Sequence, residues 1–126
     1  MTREQTVKEF HKAFGHPIEG EWTEELIHLR NLLIEEESNE LYEALMDVLY
    51  NPYEGCEEAL LKEMADLQYV LSGMAVALGL DLEEAFKRVH KSNMSKLGID
   101  GKPVYRDDGK VLKGSNYKEP DLSDLV

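Results

Sequence analysis

The chain has a single cysteine, Cys56, so no intrachain disulfide can staple it and its stability must come from a packed core. A lone thiol with no base beside it in the sequence reads as a structural residue, not a nucleophile. No apolar run approaches the roughly 18 residues that a spanning helix needs, and Met1-Thr2-Arg3-Glu4-Gln5 does not lead into the hydrophobic stretch of a signal peptide. A cytoplasmic location with no membrane partner is therefore expected. Cations are scarce as well: 14 Lys and Arg stand against 26 Asp and Glu, for a formal net charge of −12. Such a chain repels nucleic-acid phosphates, which argues against a nucleic-acid partner. An anionic ligand needs something to invert the local sign, and a bound divalent cation does this most directly. With 42% hydrophobic and 32% charged residues, the 126-residue chain suits one globular domain, small enough to gain from self-association.

Periodicity predicts four helices. Residues 2–14 place Val7, Phe10 and Phe14 at helical spacing behind Thr2, and Gly15-His16-Pro17 stops the run. Thr23 is a candidate N-cap for a second helix whose apolar stripe runs Leu26, Leu29, Leu33, Glu37, Glu40, Ala44, Val48 until Asn51-Pro52. A third begins near Glu54, continues through Ala59, Leu60, Glu63, Leu67, Val70, Met74 and Ala77, and ends at Gly79. The short turn from Pro52 to Gly55 makes the second and third helices antiparallel neighbours. A fourth helix fits Asp81 to about Ser95, with Asp81 and Glu84 spaced as a capping box and Leu82, Ala85, Phe86 and Val89 as its apolar side. From Leu97 the chain turns rich in Gly, Asp, Lys and Pro, and helix is not expected. Asp100-Gly101 and Asp108-Gly109 signal tight turns, so Pro103 to Arg106 and Val111-Leu112 suit a small two-stranded ribbon. The expected architecture is all-α: one domain over 1–126, an antiparallel four-helix bundle over 2–96 with an extended C-terminal tail over 97–126.

Four acids interrupt the apolar stripes. Glu37 and Glu40, and likewise Glu63 and Asp66, are three apart and project from one side of their helices. On antiparallel neighbours the two pairs meet. Converging carboxylates on a partly buried face repel and lose hydration, at several kcal/mol each unless compensated. Magnesium is the natural compensation, a hard cation that takes carboxylate oxygens and leaves places for substrate phosphates. The plain alternative is a solvated acidic face, but Glu37 and Glu40 sit between Leu33 and Ala44, and Glu63 between Leu60 and Leu67. A di-iron site would need Glu-x-x-His on two helices, and the chain has only Glu25 to His28. Nucleophilic catalysis has no recognisable elbow, and His11, His16, His28 and His90 are scattered. Phe10, Phe14, His11, His16 and Trp22 cluster before the second helix, where Phe10 or Trp22 could stack on a nucleobase; core packing explains the phenylalanines about as well.

Glu36-Glu37-x-x-Glu40 followed by Glu63-x-x-Asp66 resembles the EExxE…ExxD signature of the all-α nucleoside triphosphate pyrophosphohydrolases, which include MazG, the dimeric dUTPases and phosphoribosyl-ATP pyrophosphohydrolase. Leu29-Arg30-x-Leu32-Leu33-Ile34, Ala65 to Val70, Val89 to Lys96 and the tail from Asp107 to Gly114 extend the similarity over essentially the whole chain. The resemblance implies a MazG-like fold in which Glu37, Glu40, Glu63 and Asp66 bind magnesium, with manganese in its place as an alternative. Glu36 would then orient or deprotonate the attacking water. Asn93 and Lys96 match positions near the phosphates, where an amide and a point charge suit phosphate oxygens. Lys110 and Lys113 could add positive charge from the tail. The implied activity is hydrolysis of a nucleoside triphosphate to the monophosphate and pyrophosphate, in nucleotide house-cleaning or pool regulation, by a homodimer or homotetramer. Phosphoribosyl-ATP as substrate, or a noncatalytic helical module, are the alternatives.

Overall fold

Short polar side chains start three of the four helices by accepting from a backbone N–H three residues on, which satisfies an orphan donor of the first turn. The computed structural model describes residues 1–126. Thr2 caps α1 (Arg3–Phe14) in a reciprocal box, its hydroxyl accepting from the Gln5 N–H at 3.1 Å while Gln5 Oε1 accepts from the Thr2 N–H at 2.7 Å. Thr23 caps α2 (Glu24–Tyr50), and Asp81 caps α4 (Leu82–Met94). Helix α3 (Cys56–Leu78) starts two residues later than expected, behind Gly55 and without a side-chain cap; Glu57 and Glu58 in its first turn face the positive end of the helix dipole. Glu84 does not complete a box with Asp81. Its carboxylate turns instead to Arg88 Nε, at 3.1 Å one turn on.

The expected four helices and all-α class are present, and the chain divides into two compact units, Met1–Leu80 and Asp81–Val126. In the first, α3 packs against both α1 and α2, and the connection over 51–55 returns α3 antiparallel to α2. Its core is Val7, Leu26, Ala44, Cys56, Ala75, Val76 and Ala77. Ser72, Gly73, Ala75 and Ala77 are buried in succession, and their small size lets the neighbouring helices approach α3 closely. The inward stripe of α2 differs from expectation at one turn: Leu29 is exposed and Arg30, 4% exposed, takes the inward place between Leu26 and Leu33. Space for its guanidinium comes from Gly73, where an added Cβ would lie 3.3 Å from Arg30 Nη1 and 3.4 Å from His11 Nε2. His11 is buried too and its Nδ1–H donates to the Pro17 carbonyl at 2.8 Å; burial, more than any neighbour, lowers its pKa and keeps the ring neutral.

Each of the last four carbonyls of α3 finds a donor. Leu80 N–H donates to Ala75 O at 2.9 Å, Glu19 N–H to Val76 O at 2.9 Å, Gly20 N–H to Ala77 O at 2.8 Å, and the Trp22 indole to Leu78 O at 2.9 Å. With Gly79 N–H to Val76 O, the Leu80 bond makes a Schellman closure around Gly79 at φ 70°. The α1–α2 loop is thus fastened to the end of α3 by three hydrogen bonds.

In the second unit, Val104 pairs with Leu112 and Tyr105 with Val111 in a ribbon of β1 (Val104–Tyr105) and β2 (Val111–Leu112), as the Asp108-Gly109 turn implied. One turn of 3-10 helix, η1 (Ser123–Leu125), follows where no helix was expected. Phe86 and Val89, expected on the apolar side of α4, are exposed; Arg88 and Ser92 face the C-terminal segment. No helix is long and apolar enough to cross a membrane.

Gly79→Ala should lower stability by about 1–3 kcal/mol, because φ is left-handed there and the new Cβ would meet Glu19 Cγ at 3.0 Å. Urea denaturation would show the change, and an unchanged midpoint would count against a strained cap.

Candidate active site

Glu37 and Glu40 of α2 and Glu63 and Asp66 of α3 converge, with one ligand oxygen from each lying within 4.8 Å of all the others. Glu37, Glu63 and Asp66 are half-buried and Glu40 is exposed, so the cluster opens to solvent on one side. Oε2 of Glu37 and Oε2 of Glu63 are buried without any hydrogen-bond partner. A buried acceptor left unpaired is costly, and an acidic one more so. Burial first, then the charges of Glu40 and Asp66, push Glu37 above the ordinary carboxylate range. Glu63 is raised by burial and by Glu40, against the pull of Lys62.

Lys62 is a neighbour that pattern reading missed. Its Nζ lies 2.8 Å from Asp66 Oδ2 and 3.7 Å from Glu63 Oε1, and the bond to Asp66 raises its own pKa. The signal in the sequence is an i,i+4 Lys-Asp pair on α3. The side chain is largely exposed and can swing aside, so it rims the cluster without filling it. The donor set fits a hard divalent cation: four carboxylates, no sulfur, no imidazole, and two oriented oxygens for which the protein supplies no donor.

The remaining candidates are dispersed. Glu36 is exposed and outside the converging four. Phe10 stacks on Phe14 at a 4.4 Å centroid distance and meets His16 and Tyr69 edge-on at 5.5 and 5.7 Å. Tyr69, not singled out beforehand, follows Asp66 by three residues on α3, about 4.5 Å along the axis, and joins this half-open aromatic patch. Trp22 is 55% exposed, with its N–H engaged by Leu78. In the second unit Asn93 is exposed and Lys96 half-buried, and neither side chain forms a hydrogen bond or ion pair. Lys113 Nζ rests 4.7 Å above the Tyr117 ring, and Lys110 is exposed.

The model of the phosphoribosyl-ATP pyrophosphohydrolase family matches residues 7–93, well over half of the chain, and this stretch includes all four converging acids. A crystal structure of a protein from Exiguobacterium sp. 255-15, provisionally named an NTP pyrophosphohydrolase, is 26% identical with a TM-score of 0.48, over 95% of this chain and 89% of that one. No curated protein sequence matches significantly.

The raised Glu37 pKa has a defined stability consequence. An acid whose folded pKa exceeds its unfolded value destabilises the native state as pH rises above the unfolded value, about 4.3 for glutamate. In chelator, Glu37→Gln should therefore melt a few degrees above wild type at pH 7.5, and the gap should close on acidification toward that value. Saturating magnesium should reverse the order by stabilising wild type more. Calorimetry of both proteins across pH, with and without magnesium, checks this; a gap independent of pH would show that Glu37 carries no such strain.

Proposed function

Since the chain belongs to the phosphoribosyl-ATP pyrophosphohydrolase family, we propose that it is a magnesium-dependent nucleoside triphosphate pyrophosphohydrolase, splitting the α–β anhydride with water to give the monophosphate and pyrophosphate. The observation that carries this reading is the convergence of Glu37, Glu40, Glu63 and Asp66 with two buried oxygens lacking any donor. These four residues would hold magnesium, or manganese in its place. When bound, such a cation offsets phosphate charge and lowers the pKa of a water. Glu36, exposed one residue before Glu37, is the base that accepts the proton of the attacking water. Asn93 donates an amide N–H, and Lys96 an ammonium N–H, to phosphate oxygens, both side chains being otherwise uncommitted; Lys110 and Lys113 add positive charge. Phe10, backed by Tyr69, is the favoured surface for the base, because the Trp22 indole is already tied to Leu78.

We read 1–126 as a single domain, since the family match over 7–93 runs from α1 into α4 and so joins residues of both units. Exposed Leu45 and Leu49 on α2 and Leu61 and Met64 on α3 support assembly into a homodimer or homotetramer. Nucleotide house-cleaning or pool regulation in the cytoplasm is the corresponding role. The family to which the chain belongs favours a second reading, in which the same anhydride chemistry acts on phosphoribosyl-ATP.

Incubation with each standard, deaminated and oxidised triphosphate and with phosphoribosyl-ATP, plus magnesium, followed by product separation, distinguishes the readings. Pyrophosphate release from triphosphates is expected; turnover of phosphoribosyl-ATP alone selects the second. Asp66→Asn should cut kcat roughly 100-fold or more, in line with loss of a charge-stabilising group. Full activity in that variant would sink the metal-site assignment.

A further inference from the structure

Residues 114–125 are fastened along α4 and the turn after it, in part by side chains that alternate with Asn93 and Lys96. Ser92, almost fully buried, donates its hydroxyl to the Lys118 carbonyl at 2.7 Å, and the Lys118 N–H donates to Ser95 Oγ at 2.9 Å. The Ser95 hydroxyl proton goes to Ser92 O at 2.6 Å, so both hydroxyl protons are committed. One residue on from each serine stand Asn93, in the last turn of α4, and Lys96, in the turn just past its end, with their side chains unbound. At the near end of the segment, Gly114 N–H donates to Lys96 O at 2.8 Å. No side chain fits there: a Cβ on Gly114 would lie 2.7 Å from both the Lys96 and the Leu97 carbonyl oxygens, which are backbone and cannot move aside. That close approach sets Lys113 next to the end of α4 that carries Lys96.

At the far end sits Arg88. Its guanidinium binds Asp124 through two N–H groups, at 2.5 and 3.1 Å, donates to the Asp121 carbonyl at 3.0 Å, and is oriented from below by Glu84 at 3.1 Å. A bidentate arginine with a third bond to a carbonyl specifies both direction and distance, which an ammonium would not. Asp124 is in turn held by η1, which Asp121 closes by accepting from the Ser123 N–H at 3.0 Å and the Ser123 hydroxyl at 2.7 Å.

We propose that Arg88 is a positioning residue for substrate binding: by clamping residues 117–125 along α4 through Asp124, it fixes the last turn of that helix and gathers Asn93, Lys96 and Lys113 as one phosphate-binding group. The clamp touches no substrate. It rests on the reading that Asn93 and Lys96 contact phosphate, and it adds that the C-terminal segment prepares them to do so. Prepaid ordering of flexible cations lowers the entropy lost on binding, so its effect falls on KM and not on the chemical step.

The test combines kinetics on a turned-over triphosphate with amide hydrogen exchange, for Asp124→Asn, Gly114→Ala, Asp124→Glu and, as controls, Asn93→Ala and Lys96→Met. Asp124→Asn and Gly114→Ala attack the two ends of the segment independently. Each should speed exchange at the Gly114 and Lys118 amides and raise KM roughly tenfold, the weight of one charged hydrogen bond, with kcat within about twofold. Asp124→Glu, which keeps the charge, should fall between them and wild type. Faster exchange with unchanged KM, while Lys96→Met raises KM, would overturn the positioning role and leave the phosphate reading standing. Unchanged KM in both controls would remove the phosphate reading and this proposal with it. Unchanged exchange in both end variants would show that the clamp does not hold the segment.

Discussion

Four carboxylates with oxygens within 4.8 Å of one another oppose the pairing of the helices that carry them, and the first unit must hold α2 against α3 in spite of that. The closure is made away from the acids. Ser72, Gly73, Ala75 and Ala77 let the far half of α3 pack closely, and the α1–α2 loop satisfies its last carbonyls. Burying small residues and leaving no orphan carbonyl gives that half stability independent of charge. The acidic half is thereby held in a geometry it would not choose alone, which is what preorganisation for a cation requires.

A chain of net charge −12 can hold an anionic ligand only where that sign is reversed locally, and its cations are sparse. Lys62 rims the acid cluster, Arg88 is spent on holding a segment in place, and Lys96 is left uncommitted. Arg30 is the exception: buried beside His11 with its Nε unpartnered, it is lowered in pKa by desolvation and has no carboxylate to offset that cost.

Much of this was legible beforehand, because it rests on spacing. The three- and four-residue steps gave four helices, and the two acid pairs followed from their position among leucines. Thr23, Gly79 and the Asp108-Gly109 turn behaved as their local chemistry demands. What escaped was tertiary. Leu29 and not Arg30 was expected on the inward stripe because nothing local announces that Gly73, 43 positions from Arg30, leaves room for the guanidinium. Glu84 looked like half of a capping box, but its carboxylate accepts instead from the charged Nε–H of Arg88 one turn on. The order of the C-terminal segment was missed because hydrogen bonds that Ser92 donates to, and Ser95 accepts from, the distant Lys118 backbone have no periodicity.

Trp22 is the only tryptophan in the chain, and its indole N–H closes α3 by bonding to Leu78 O. Its ring, 55% exposed, stands where the α1–α2 loop is fastened, wholly within Met1–Leu80. The protein therefore carries an optical probe of one junction. A change in its emission reports release of that loop from the helix end, whereas detachment of the C-terminal segment from α4 leaves the indole bond untouched. Intrinsic fluorescence and hydrogen exchange at Lys118 accordingly watch different events in the same molecule.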